Sequence, residues 1–96
     1  MPTISKKELV DRIADKINVK RTDVKIIVQQ FLDEITTELS KNSRIEFRDF
    51  GVFEIKERAA RKAQNPKTLE PVNVPAKKIV RFKEGRLMKE KVNSNQ

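Results

Sequence analysis

No cysteine and no histidine occur anywhere in the 96 residues. Disulfides and thiolate ligands are therefore excluded, and a zinc site would have to be assembled from carboxylates alone, so no structural metal is expected. A glycine-rich phosphate loop is also missing, and the carboxylates alternate with basic residues instead of clustering. Neither an enzymatic activity nor a cofactor is expected. The longest apolar run is Ile26-Ile27-Val28, far short of a membrane span, and the amino terminus lacks the apolar core of a secretory signal. A cytoplasmic protein with no membrane attachment is expected. Apolar material is scarce overall, 36% of residues being hydrophobic against 38% charged. A single domain of this size has too little of it for a private core, and oligomerisation is the natural remedy.

Positive charge is abundant and unevenly spread. Residues 1–55 carry ten Lys or Arg and ten Asp or Glu, whereas residues 56–96 carry twelve and four, so the whole excess of +8 lies in the second part. A localised basic surface calls for a polyanion, and nucleic acid fits better than a merely solvated lysine-rich face. The centre of that region, Arg58 to Thr68 (RAARKAQNPKT), has no large apolar side chain and carries Pro66 near its end. It reads as an arm of two antiparallel strands that leave a small body, turn near Pro66 and return.

Ser5 and Glu8 have the spacing of a capping box, with Ile4 and Leu9 placed as a hydrophobic staple. Leu9, Val10, Ile13, Ala14 and Ile17 then line one helical face, predicting a first helix to Lys16 or Ile17. Thr22-Asp23 starts a second helix, its cap there or a residue or two earlier. Val24, Ile27, Val28, Phe31, Leu32, Ile35 and Leu39, widened by Ile26, make a stripe too broad for one short helix to cover. Packing against a second copy, with Phe31 and Leu32 near the centre, is favoured over an intrachain core. Ser40-Lys41-Asn42 ends this helix, Asn42 tolerating the left-handed conformation of a helix stop. In Arg44-Ile45-Glu46-Phe47-Arg48 the alternation predicts a strand with Ile45 and Phe47 inward, followed by a turn at Asp49-Phe50-Gly51. Phe53 and Ile55 continue the inward face until Lys56, where the arm begins. On the return, Val72 and Val74 precede Pro75, which belongs on an edge or at a bulge, and Ile79 to Lys83 complete the strand. Phe50, Phe53 and Phe82 are expected to form an aromatic cluster with a core role. After Glu84-Gly85 a short amphipathic helix is predicted from Arg86 to Val92, with Asn93 to Gln96 frayed.

With these elements in place the chain resembles the HU/IHF family of bacterial architectural DNA-binding proteins over nearly its whole length. The most specific residues are Phe50, Phe53, Arg58, Arg61, Ala63, Asn65, Pro66 and Thr68, which stand at the family's spacing, with Phe82 and Gly85 at its last strand and helix junction. Asn42, Asp49 and Leu69 depart from it where the family prefers glycine or another small residue, and Gln64 where it prefers Arg or Lys. Leu69 cannot adopt positive φ as cheaply as glycine does.

The resemblance implies an α+β domain: two helices in an intertwined dimer core (residues 1–42), a three-stranded antiparallel sheet with a long basic ribbon (43–83, the arm about 56–78), and a terminal helix and tail (84–96). Its dimer core would be built from Val28, Phe31, Leu32, Ile35, Phe47, Phe50, Phe53 and Phe82. It also implies two arms that wrap duplex DNA in its minor groove, bending and compacting the bacterial chromosome with low sequence specificity. Arg58, Arg61, Lys62, Lys67, Lys77 and Lys78 would meet phosphates or enter the groove, with Lys6, Lys83, Arg86 and Lys89 extending the track. Gln64, Asn65, Pro66 and Thr68 complete the tip. Asn65 is placed to bond groove-edge acceptors, and Pro66 is either a wedge between base pairs, a use for which HU and IHF are themselves known examples, or a plain turn proline. The implied partners are double-stranded DNA, with distorted DNA or RNA as further ligands, and a second copy of the chain or a paralogous subunit. The alternative to an HU-like homodimer is one subunit of an IHF-like site-specific heterodimer. A single-stranded RNA binder is disfavoured because the phenylalanines are committed to the core.

Overall fold

The computed structural model describes residues 1–94. Among these are three helices and five strands in the order α1 (Lys6–Ile17), α2 (Arg21–Ser40), β1 (Ile45–Phe47), β2 (Gly51–Arg58), β3 (Arg61–Gln64), β4 (Pro71–Val74), β5 (Lys77–Glu84) and α3 (Arg86–Ser94). This is the α+β architecture expected from the sequence. The chain divides into two units, Met1–Thr37 and the part from Glu38 onward.

In the first unit Ser5 caps α1, its Oγ accepting from the Glu8 amide at 3.2 Å. Only this half of the expected capping box forms. The Glu8 carboxylate instead lies 3.6 Å from Arg12, because a cation one helical turn further along competes for it. Asn18 ends the helix at φ 54, and the Val19 amide returns to the Ala14 carbonyl at 3.1 Å, a Schellman closure that uses asparagine in place of glycine. Val10 and Ala14 pack with Val24, and Val28 lies against them. Each pair is four residues apart, so one ridge of α1 meets one ridge of α2. Leu9, Ile13 and Ile17, expected on the same inward face, are exposed, as is Ile4 of the expected staple. A contact one ridge wide leaves the flanking positions outside it. Arg21 adds ion pairs across the two helices, 3.3 Å to Asp11 and 3.4 Å to Asp15. Exposed pairs of this kind contribute about 0–1 kcal/mol each.

The second unit opens on the helix stop read from the sequence. Asn42 sits at φ 65 and the Ser43 amide bonds the Glu38 carbonyl at 3.1 Å. Strand β1 is shorter than expected, Arg44 and Arg48 flanking it. The turn after it closes through the Phe50 amide and the Phe47 carbonyl at 3.0 Å, with Asp49 at φ 66. Aspartate is among the few residues that tolerate this region. The sheet is antiparallel in the order β1-β2-β5. Its register sets Ile45 beside Phe53, Phe53 beside Phe82 and Ile55 beside Val80, so these side chains share one face. Phe53 and Phe82 have ring centroids 4.8 Å apart, Phe50 and Phe82 5.7 Å, and Phe47 joins Phe50 and Phe53 at 6.1 and 6.2 Å. The cluster is not a closed core: Phe50 and Phe82 remain 49% and 39% exposed in the single chain. Helix α3 continues through Asn93 and Ser94, which were expected to fray, the Ser94 hydroxyl donating to the Lys91 carbonyl at 3.0 Å. The fraying expected of Asn95 and Gln96 lies outside the described residues.

Both glycines of the chain stand where backbones or rings approach closely. A Cβ on Gly51 would come within 2.4 Å of the Phe82 ring, and one on Gly85 within 2.7 Å of the Asp49 carbonyl carbon. The Gly85 amide donates to the Phe50 carbonyl at 2.8 Å, so this approach also joins β5 to the turn. Gly85→Ala is expected to lower the unfolding free energy by about 1–3 kcal/mol, because its obstacle is backbone that cannot swing aside. A urea denaturation midpoint equal to the wild type's would contradict this packing.

Candidate nucleic-acid interface

Strands β2 and β5 pair as far as Arg58 opposite Lys77, and β3 and β4 resume at Arg61 opposite Val74. Two residues are skipped on each side, Ala59-Ala60 and Pro75-Ala76, so the register is the same before and after the interruption. Pro75 is therefore not at a bulge, since an extra residue on one strand would have shifted the pairing. Having no amide proton, it stands where the ladder is open.

Residues directly opposite across the ladder share a face, which gathers the aromatic side chains on one side and most of the basic ones on the other at the base of the ribbon. Phe53, Ile55, Val80 and Phe82 lie on one side, with Glu57 and Lys78 at its outer end; Lys56, Arg58, Lys77, Arg81 and Lys83 lie on the other, among Val52, Glu54 and Ile79. Arg58 directly opposite Lys77 is a like-charge pair, unfavourable by itself and relieved by an external anion. Lys78 lies opposite Glu57, and further out Lys62 lies opposite Asn73. Lys56 and Arg81 were not among the residues picked from the sequence. The alternation of Lys56 with Arg58, and of Lys77 with Ile79 and Arg81, is the signal that identifies them.

The tip is held by a small hydrogen-bond network. The Asn65 amide donates to the Glu70 carbonyl at 2.9 Å and the Leu69 amide to the Asn65 carbonyl at 2.7 Å. Asn65 Oδ1 accepts from the Lys67 amide at 2.9 Å, an Asx turn around Pro66, and Thr68 Oγ1 accepts from the Glu70 amide at 3.4 Å. Pro66 thus fills the turn role whatever else it does, and the half-buried Asn65 keeps its side-chain NH2 as a further donor. Gln64 Nε2 donates to the Leu69 carbonyl at 3.0 Å, which makes Gln64 a brace of the tip. Leu69 itself sits at φ 60, the conformation that glycine takes at less cost.

The electrostatic contrast within the second unit is sharp. Arg58, Arg61, Lys62, Lys67, Lys77 and Lys78 have no carboxylate within ion-pair distance among the described residues. Near the base of the sheet, by contrast, Lys83 lies 3.1 Å from Glu54, which also faces Arg44, and Arg86 on α3 lies 3.2 Å from Glu90. Lys83 and Arg86, picked from the sequence as part of the anion track, are thus partly neutralised in the fold. Among the described residues Lys89 on α3 has no such pair, and Lys6 belongs to the first unit, where its ammonium donates to Gln29. Of the positions expected in a dimer core, Val28 packs in the first unit, Ile35, Phe47 and Phe53 are half-buried, and Phe31, Leu32, Phe50 and Phe82 are exposed. No described helix is long and apolar enough to cross a membrane.

Comparison with known proteins agrees with this geometry. The family model described as bacterial DNA-binding protein matches residues 4–93. The DNA-binding protein HU of Thermotoga maritima is 44% identical over 89 residues, covering 93% of this chain and 99% of that protein. Integration host factor subunit beta of Pseudoalteromonas atlantica is 39% identical over 93 residues, covering 96% and 97%. Among solved structures, the Anabaena HU–DNA cocrystal structure superposes with a TM-score of 0.84 at 36% identity, covering 93% of this chain and 97% of that one. A basic, register-locked ribbon on an α+β body, matched over nearly its full length, makes this chain a member of the bacterial DNA-binding protein family that includes HU and the integration host factor subunits.

Proposed function

We propose that the chain is an HU-like architectural protein that binds duplex DNA through its arm, with low sequence specificity, and bends it. One observation carries the reading: among the described residues the arm's cations have no carboxylate partner, whereas Arg44, Lys83 and Arg86 near the base of the sheet are paired. Unpaired cations along a ribbon neutralise phosphates and release counterions, which supplies affinity without sequence choice. Arg58, Arg61, Lys62, Lys67, Lys77 and Lys78 are the main contacts, joined by Lys56 and Arg81. Lys6, Lys83, Arg86 and Lys89 are secondary. The side-chain NH2 of Asn65 donates to minor-groove acceptors, which distinguish little beyond A·T from G·C, and Pro66 enters a base step. Sequence preference then comes from how easily the DNA deforms. The Anabaena HU crystallised with DNA supports the ligand, and the higher identity to an HU than to the integration host factor subunit supports the HU-like form. The protein acts at the nucleoid in the cytoplasm, without catalytic activity.

Association into a homodimer belongs to the same reading. Phe31 is 53% exposed and Val80 58% exposed, with Ile27, Leu32, Phe50 and Phe82 also open. Surfaces of this extent on a soluble chain mark an interaction site, and a second copy is the occupant that completes the core.

Two measurements test these points. The logarithm of DNA affinity is expected to fall with the logarithm of salt concentration with a slope of about −0.9 per phosphate contacted. Arg58→Ala or Lys62→Ala should each reduce that slope by about one contact, and Lys83→Ala by less because Glu54 already pairs it. Affinity nearly independent of salt would remove the arm from the mechanism. Phe31→Ala is expected to cost on the order of 3 kcal/mol or more, folding and association failing together. Sedimentation across a concentration series decides this, and a stable compact wild-type monomer would rule the dimer out.

A further inference from the structure

Leu69 combines two features that the fold leaves unexplained. Its side chain is 67% exposed, and its backbone is held at φ 60, where leucine is disfavoured. Packing within the chain does not offset the strain. Both backbone groups are nevertheless fixed, the amide on the Asn65 carbonyl at 2.7 Å and the carbonyl on Gln64 Nε2 at 3.0 Å, so the direction in which the side chain leaves the tip is set. Strain retained at an exposed tip points to a role outside the fold.

The position of Leu69 indicates that role. Pro66, Lys67, Thr68 and Leu69 form the connection between Asn65 and Glu70, and the register that sets Gln64 opposite Pro71 places Pro66 and Leu69 at corresponding positions on its two sides. Two apolar side chains therefore flank the polar pair Lys67-Thr68. We propose that Leu69 is the second half of a two-sided apolar wedge, lying against the bases and sugars of the step that Pro66 opens. This rests on the DNA-bending reading above and adds a residue to it. Leucine is among the side chains able to hold base steps apart, and its contact area becomes available only once the step is unstacked. Straight DNA has to be opened by the protein, whereas a gapped duplex is already pliant there, so Leu69 should matter more on the straight one.

Three substitutions separate the apolar contact from the backbone. Leu69→Asn keeps a residue that tolerates positive φ and makes it polar, Leu69→Gly relieves the strain and removes the side chain, and Leu69→Met keeps the apolar character. Bend angle by fluorescence transfer and affinity would be measured for each on straight and gapped duplexes. Leu69→Asn and Leu69→Gly are both expected to bend the straight duplex less and to bind it about tenfold more weakly, with a smaller loss on the gapped one. Leu69→Met should stay near the wild type, and all three should keep its salt slope. If either Leu69→Asn or Leu69→Gly bends a straight duplex as sharply as the wild type, or if Leu69→Gly binds more tightly, Leu69 is a strained turn residue and the inference fails alone. A wild-type protein that binds straight DNA without bending it would remove the bending reading, and the wedge with it.

Discussion

The in-register pairing of β2 with β5, carried on by β3 and β4, is the constraint on which the rest depends. It sets Phe53 beside Phe82 and so gathers the aromatic rings on one face, and it sets Arg58 beside Lys77 on the opposite face, where Lys56, Arg81 and Lys83 also lie. Because the side-chain period of a strand is two, a slip of one residue would exchange these faces. The interruption at Ala59-Ala60 and Pro75-Ala76 preserves the pairing, so the tip stays aligned with the sheet despite the break in the ladder. Strand pairing is thus interrupted locally while alignment is kept, which suits the proposed wrapping of a bent duplex.

Shortage of apolar residues explains the body in the same physical terms. In the first unit one ridge of α1 meets one ridge of α2, and in the second the aromatic cluster stays open. Such a fold leaves apolar surface uncovered in the isolated chain, which is the surface that the proposed association would bury. Ion pairing differs between the two parts in degree: Lys7, Arg12 and Arg21 of the helices and Arg44, Lys83 and Arg86 near the sheet base face carboxylates, Lys6 and Lys89 do not, and the cations of the arm face none among the described residues. Affinity for a polyanion is therefore not opposed by internal salt bridges that would have to be broken first.

Much of this was legible in the sequence because period, punctuation and charge all act locally. The helical stripe of α2, the stop at Asn42, the alternation through Ile45, Phe47, Phe53 and Ile55, and the basic arm each leave a mark within a few residues. What was not legible depends on partners distant in sequence or on competition between neighbours. Glu8 could cap Ser5 or pair with Arg12, and only the folded geometry chooses. Burial of Leu9, Ile13 and Ile17 depends on how wide the α2 contact is, which periodicity does not report. Whether Pro75 sits at a bulge depends on the count of residues on the facing strand, and the neutralisation of Lys83 depends on Glu54 across the ladder. At the tip the sequence marked Leu69 as a poor substitute for glycine, and the strained backbone is present. That Gln64 and Asn65 hold it there could not be read from spacing alone.

The most direct test of the central claim, that duplex DNA lies along this ribbon, is an NMR titration of the isotope-labelled protein with a short unrelated duplex. Amide shifts are expected to concentrate between Lys56 and Arg81, largest from Asn65 to Leu69. Shifts confined to α1 and α2, with the arm resonances unmoved at saturation, would contradict it.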